Sequence, residues 1–346
     1  MKRVITTALL VMTMAAGHTL AATKAPARSA VPAPAATPKA PPAPPKVPMT
    51  LDQVRAAAAA GDAGAQAELG RVYYDGLGSE IDHAQAFEWY AKAAAAGHVR
   101  AQMQVADMYN AGDGVPQDLG QARIWYQKAA MQGLARAQFN LAQIYDRGQG
   151  VPVDEKMAFT WFAKAAAQGL ADAQYNLAVM YDQGQGTRIN YVQAANWYEK
   201  AADQGIVDAQ YNLAMMYASG QGVIRDDKAS TFWLFAAAKQ GLSAAQYNLG
   251  LDYLNGKGVP RDEAKAYEWL ILAARQNDPD AQFYVAQMYR DGRGTSKNPT
   301  QAYAWATLAS RQGQAAAADY VQTAETTLTA EQKAAALNLT ASLVQN

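Results

Sequence analysis

Around Ala173 the apolar positions fall at Ala173, Leu177 and Tyr181, a step of four that draws one stripe along an α-helix. The stripe stops at Gly184-Gln185-Gly186. A glycine there can close a helix in the left-handed conformation without a Cβ clash. A second run, Val192 to Gln204, carries Ala194, Trp197, Tyr198, Ala201 and Ala202 and stops at Gly205. The same succession recurs along the chain in three independent series. All seven tryptophans lie 36 residues apart, at 89, 125, 161, 197, 233, 269 and 305. The pair Ala-Gln recurs at 65, 101, 137, 173, 209, 245 and 281, and Gly-x-Gly at 76, 112, 148, 184, 220, 256 and 292. A fixed period in this range means a solenoid whose units bury their faces on their neighbours. Small alanines let helices cross closely, and Trp and Tyr fill the space between pairs. The predicted fold is all-α: an α/α superhelical solenoid of seven 36-residue helix-turn-helix repeats with capping helices.

The ends depart from the period. Residues 49–63 predict an N-terminal cap, its helix Leu51 to Ala60 lying one period before the run Ala86 to Ala96. The repeats span 64–313. From Gln314 to Ala324 the register continues but loses the glutamine, the Gly-x-Gly and the tryptophan. A last helix is expected from Thr329, with Gln332 completing a capping box and Ala334, Leu337 and Leu339 covering the end of the stack. Residues 314–346 thus read as C-terminal capping helices.

The first 48 residues differ in kind. Lys2 and Arg3 precede an apolar run, Val4 to Ala16, too short for a stable span, and Thr19-Leu20-Ala21 fits a small-x-small cleavage site. Residues 1–21 are expected to be a signal peptide cut after Ala21 or Ala22; an uncleaved anchor is the alternative. The protein is then periplasmic or secreted, part of a bacterial envelope, with no membrane span after cleavage. Residues 22–48 read as a disordered Pro/Ala-rich linker, with nine of the 14 prolines between 23 and 48.

Charge sharpens the contrast. Lys+Arg and Asp+Glu both total 30, but Lys2, Arg3, Lys24, Arg28, Lys39 and Lys46 stand in the first 48 residues without one acid. The remainder keeps 24 basic against 30 acidic side chains, a net of −6, which is no footprint for nucleic acid. There is no cysteine, hence no disulfide and no thiolate metal site. Of three histidines, only His83 and His98 lie beyond the leader, with no ligand or triad spacing. No Ser-x-x-Lys occurs, and the Gly-x-Gly turns follow helices, not the strand a phosphate cradle needs. No catalytic residue, cofactor or metal is expected. Asp146 and Asp182 recur at first-helix ends and could pair as acid and base on a glycan, but their repetition argues for structure.

The pattern Ala-Gln-Tyr-Asn-Leu-Ala-x-Met-Tyr-x-x-Gly-x-Gly, then Ala-x-x-Trp-Tyr-x-Lys-Ala-Ala-x-Gln-Gly, resembles the SEL-one-like repeat, a longer variant of the tetratricopeptide repeat, over residues 64–313. The resemblance implies a scaffold or adaptor that binds protein or peptide segments. Bacterial members are often exported and act in envelope regulation, polysaccharide secretion or host contact. One cysteine-rich subgroup is linked to β-lactam hydrolysis; this chain lacks cysteine, and that activity is not carried over.

The resemblance also implies that first helices line a concave groove. One column there is Asn140, Asn176, Asn212 and Asn248, flanked by Glu68, Gln104 and Tyr284. An asparagine amide offers donor and acceptor and can hold an extended peptide without reading its sequence. It could equally bond an adjacent helix end and set repeat geometry. The preceding column is Phe139, Tyr175, Tyr211, Tyr247 and Phe283; a further one is Gln143, Val179, Met215, Leu251 and Gln287. These are either a groove floor or packing between first helices. Arg100 and Arg136, followed by Asp172, Asp208 and Asp280, would give a ligand polarity or stand as solvated charge. Aromatic columns could also stack on sugars, so peptidoglycan or another glycan is the alternative partner.

Overall fold

The structure, a computed structural model, describes residues 49–78 and 80–344; the expected signal peptide and linker lie outside the described residues. Among these residues are seventeen helices and no strand. The first helices of the repeats are α2 (Ala63–Asp75), α4 (Val99–Ala111), α6 (Ala135–Arg147), α8 (Ala171–Gln183), α10 (Val207–Ser219), α12 (Ser243–Asn255) and α14 (Pro279–Asp291). The second helices are α3 (His83–Ala95), α5 (Leu119–Met131), α7 (Glu155–Ala167), α9 (Tyr191–Asp203), α11 (Asp227–Lys239), α13 (Glu263–Arg275) and α15 (Pro299–Arg311). All fourteen are 13 residues long. Each first helix packs on the second helix of its repeat, and that helix on the first helix of the next. The α1 helix (Leu51–Ala59) covers α2, while α16 (Ala315–Glu325) and α17 (Ala330–Val344) fold back on α15.

Every second helix starts at an acid or its amide: Asp82, Asp118, Asp154, Asn190, Asp226, Asp262 and Asn298. Each side chain accepts the backbone N–H three residues on, at 2.9–3.1 Å. That satisfies one of the amides a helix start leaves without a partner. The cap residue's own N–H donates to the carbonyl of a first-helix tyrosine, Asp118 to Tyr109 and Asn190 to Tyr181 among them, at 2.8–3.0 Å. The Gly-x-Gly turn is thus closed from both sides. Its second glycine lies hard against the preceding repeat: at Gly222 (φ +73°) a Cβ would stand 2.2 Å from the carbonyl oxygen of Tyr191.

The core is mostly alanine, closely crossed, with one glutamine in each repeat. Gln66, Gln102, Gln138, Gln174, Gln210, Gln246 and Gln282 are all buried. Each Nε2 donates to the carbonyl eight residues back, at the end of the preceding helix (α1 for Gln66, a second helix for the others), at 3.1–3.3 Å. From Gln102 onward each Oε1 accepts from a second glutamine thirty residues ahead, Gln132, Gln168, Gln204, Gln240, Gln276 and Gln312, at 2.7–2.9 Å. Gln132, Gln204, Gln240 and Gln276 also reach the glycine carbonyl of the preceding turn. A rung therefore joins the last turns of two successive second helices through the first helix between them. Gln66 has no such partner, because Ala96 stands in the register of Gln132.

The outer side of the second helices carries a second repeating device. Lys92, Lys128, Lys164 and Lys200 sit 3.7–4.0 Å over the ring centres of Trp89, Trp125, Trp161 and Trp197. The spacing of three residues puts ammonium and ring on one helix face.

At the C-terminus Thr329 and Gln332 form the expected reciprocal pair, at 3.0 and 3.2 Å. The covering stripe is different from the expected one. Ala336 and Thr340 are buried and Leu339 and Leu343 half-buried, whereas Ala334 is exposed and Leu337 is 48% exposed. A helix buries positions three and four apart, and 336, 339, 340 and 343 make that stripe.

Two outcomes follow from these contacts. Gln174→Ala removes one bond to the Ala166 carbonyl and one from the Gln204 amide, each of which keeps a partner at Gly169, and is expected to cost about 1–3 kcal/mol, with a coupling to Gln204→Ala of about 1 kcal/mol in a double-mutant urea-denaturation cycle; strict additivity would refute the ladder. Gly222→Ala is expected to cost several-fold more in melting temperature than Gly205→Ala, since Gly205 (φ +89°) has no atom within 4 Å of its would-be Cβ and carries only the left-handed penalty of roughly 1–2 kcal/mol.

Candidate functional site

The first helices hold the columns singled out in the sequence, and their side chains form a connected polar layer. Asn140 Nδ2 donates to Asp107 Oδ1 of the preceding first helix at 3.4 Å, and the Tyr126 hydroxyl donates to the same oxygen at 2.5 Å. Asn248 Nδ2 donates to the Tyr211 hydroxyl at 3.3 Å and to Ala244 O at 2.8 Å. Asn212 stands beside the phenols of Tyr175 and Tyr198 and opposes the upward shift that burial gives both. Asn176 turns back to its own helix, donating to Asp172 O at 2.7 Å. The amide donors of Asn140, Asn176 and Asn248 are therefore engaged within the protein. No donor among the described residues reaches the carboxamide oxygens of Asn140, Asn176 or Asn248.

The aromatic column divides. Phe139 is buried with its edge on Phe162, and Phe283 packs against Ala309 and Ala317. Tyr175, Tyr211 and Tyr247 are half-buried, Tyr175 against Tyr198 and Tyr247 against Tyr284, both with ring centres 5.9 Å apart. Burial pushes the phenols of Tyr175, Tyr211 and Tyr247 upward. Met215 is half-buried beside Tyr211 and Val207. Arg100 is exposed, and Arg136 pairs with Asp172 at 3.5 Å, so the basic and acidic stretches meet there. Beyond that pair α8, α10 and α12 carry Asp172, Asp182, Asp208 and Asp252 and no Lys or Arg.

One residue of this layer was not read from the sequence. Asp107 stands in the column of Gln143, Val179 and Met215; its signal was to be, with Arg71, a charge in an otherwise uncharged column. Burial pushes its carboxyl up, and the Tyr126 hydroxyl and Arg136 oppose that shift. Asp146 and Asp182, half-buried at first-helix ends, are also raised by burial. Both histidines have structural contacts. His98 Nδ1 accepts the Ala101 amide at 3.2 Å to cap α4, and His83 bonds Asp113 beneath the Tyr74 ring.

A cleft of about 710 Å³ lies elsewhere, between the turns lined by Val153–Lys156 and Gly184–Arg188. It is shallow, mixes both charges and touches none of the columns.

A family model described as the Sel1 repeat matches residues 63–98, 99–134, 135–170, 171–206, 207–242, 243–278 and 279–314, each one first helix with its second helix. Among solved structures, the chain is similar to a protective antigen of uropathogenic Escherichia coli strains that displays an SLR fold, with 36% identity and a TM-score of 0.70 over 85% of this chain. This chain spans 63% of that protein's length. It is also similar to a Sel1 repeat protein from Oxalobacter formigenes, with 36% identity and a TM-score of 0.62 over 79% of both chains. No curated protein matches it.

A carboxyl raised by burial binds its proton more tightly folded than unfolded, so its charged form weakens the fold above the ordinary carboxylate range, and the weakening fades as pH falls. Asp182 has burial as its one cause of shift. Asp182→Asn is expected to raise the melting temperature at pH 7, with the gain disappearing below about pH 4; a gain equal at both pH values would contradict the burial account.

Proposed function

Because the chain belongs to the Sel1 repeat family, we propose that it is an exported, non-catalytic adaptor that holds an extended segment of another protein along its first-helix face. The observation carrying this reading is the polarity of the asparagine column. At 140, 176 and 248 its amide donors are engaged within the fold, and its carboxamide oxygens meet no donor among the described residues. A row of acceptors beside half-buried tyrosines suits the backbone N–H groups of an extended chain, recognised without reading its side chains. Rigid repeats supply the row ready-made, which lowers the ordering cost of binding.

Export is supported by the charged start, short apolar run and small-x-small site at the N-terminus. The similarity to a protective antigen points the same way. Among the described residues no helix is long and apolar enough to cross a membrane. The glycan alternative has less support. Of the aromatic column that could stack on a sugar, Phe139 and Phe283 are buried, and Tyr175 and Tyr247 are half-buried against other rings.

The full chain, immobilised beside its Asn176→Ala/Asn212→Ala variant and exposed to envelope extract, tests the reading. At least one protein identified by mass spectrometry is expected on the unaltered chain and not on the variant, with helical circular dichroism unchanged. Equal capture by both would move the site to another face; capture by neither would refute the adaptor role.

A further inference from the structure

The repeat supplies its own control, because any outward position can be compared across seven registers. On α11 the exposed positions 228, 232, 235 and 239 form one stripe at helical spacing, Lys228-Phe232-Phe235-Lys239. Phe232 is 64% exposed and Phe235 42%. In the register of Phe232 the other repeats have Glu88, Ile124, Thr160, Asn196, Glu268 and Ala304; in that of Phe235, Ala91, Gln127, Ala163, Glu199, Ile271 and Thr307. None is aromatic, so the solenoid does not require a ring at either place.

The same repeat has lost its inward ring. The register of Thr231 holds Phe87, Phe159, Tyr267 and Tyr303 in four others, and the first three meet a first-helix tyrosine edge-on. Thr231 instead places its hydroxyl 2.8 Å from Asp252 Oδ2 and 2.9 Å from Asp227 O. Asp252 is buried where Met108, Ile144, Met180, Met216 and Met288 stand elsewhere. This buried polar pair ties α11 to the end of α12, while the aromatic rings stand outside. Phe232 meets Trp233 edge-on at 5.0 Å and Phe235 meets Trp269 at 5.7 Å. Leu272, 39% exposed, stands where four repeats carry the lysine that covers their tryptophan.

We infer that the outer face of α11, continued by Trp269 and Leu272 of α13, is a docking surface for an amphipathic, acidic helical segment of another protein. Exposed aromatic side chains held in place by ring contacts are the usual anchors of a protein interface. The rim sets the sign of the partner. Lys228 and Lys239 lie four residues outside the two phenylalanines, are exposed, and make no ion pair among the described residues; Asp227 is taken by Arg225 and Lys257. A helix laid along α11 meets two apolar rings flanked by two ammonium groups that no carboxylate neutralises, one of which, Lys239, lies 5.7 Å over the Phe235 ring centre. It therefore binds best with apolar residues three and four apart flanked by carboxylates. A flat anionic membrane fits less well, since exposed Glu199 and Asp203 on α9 and Glu268 on α13 would face it too. The surface lies on the second helices and is separate from the asparagine column.

The test uses a phage-displayed random peptide library selected on the full chain. Phe232→Glu/Phe235→Thr places residues found in the same registers of other repeats, so the fold is retained. Clones specific to the unaltered chain are expected to carry Asp or Glu around an apolar helical stripe. A peptide synthesised from them should bind about tenfold or more weakly to the phenylalanine variant. It should bind several-fold more weakly to Lys228→Glu/Lys239→Glu and unchanged to Asn176→Ala/Asn212→Ala. Selection of basic or uncharged clones, or equal binding to the phenylalanine variant, overturns the inference. So does phosphatidylglycerol-vesicle binding that the phenylalanine variant abolishes without any acidic clone, which would assign the face to a membrane.

Discussion

A buried carboxamide must meet its hydrogen-bonding groups or weaken the fold, and in this chain that requirement recurs in every repeat. The glutamine of each Ala-Gln pair spans from the end of one second helix to the glutamine closing the next. Its two partners lie eight residues behind and thirty ahead, so the rung forms only when helix and turn lengths are constant. One inserted residue would break both bonds and leave the buried glutamine of the pair among alanines with neither partner. That accounts for a period kept over 252 matched residues without an insertion. Where the ladder ends, the chain changes character: Ala96 leaves Gln66 with half its rung, and beyond Gln312 the helices pack in another manner.

With the period locked from within, the two outer sides are free to diverge. On the first helices, Asn, Tyr and Asp side chains bond across repeats, and the carboxamide oxygens of Asn140, Asn176 and Asn248 meet no donor among the described residues. On the second helices, lysines lie over tryptophans through the first four repeats. In the fifth that device gives way to exposed phenylalanines around a buried Thr231–Asp252 contact. A solenoid tolerates such local departures because each repeat answers only to its neighbours.

The sequence was most legible where a property recurs along the chain. Tryptophan, Ala-Gln and Gly-x-Gly marked the units, and the stripe Ala173, Leu177, Tyr181 marked a helix face. The acid or amide capping each second helix, Asp82 to Asn298, recurs at the same interval and was open to the same reading, but its meaning depends on where the turn ends. The asparagine column was recognised, with its role open between ligand and repeat geometry. Its amide groups bond Asp107 and Tyr211, residues 33 and 37 positions away, and no local spacing announces such contacts. The last helix shows the same limit: Ala334 and Ala336 are alike in composition, and only packing on α15 chose the second.

Local chemistry and repetition alone were enough for the all-helical class, the 36-residue unit, the seven copies and the helices that close each end, because those depend on side-chain period and glycine placement. The tertiary structure decided which half of each amide faces inward, which tyrosines are half-buried, which tryptophans are covered and which phenylalanines are not. Those depend on how far each repeat turns on the one before it. That angle is set by contacts between residues about thirty positions apart, and it has no expression in the linear pattern.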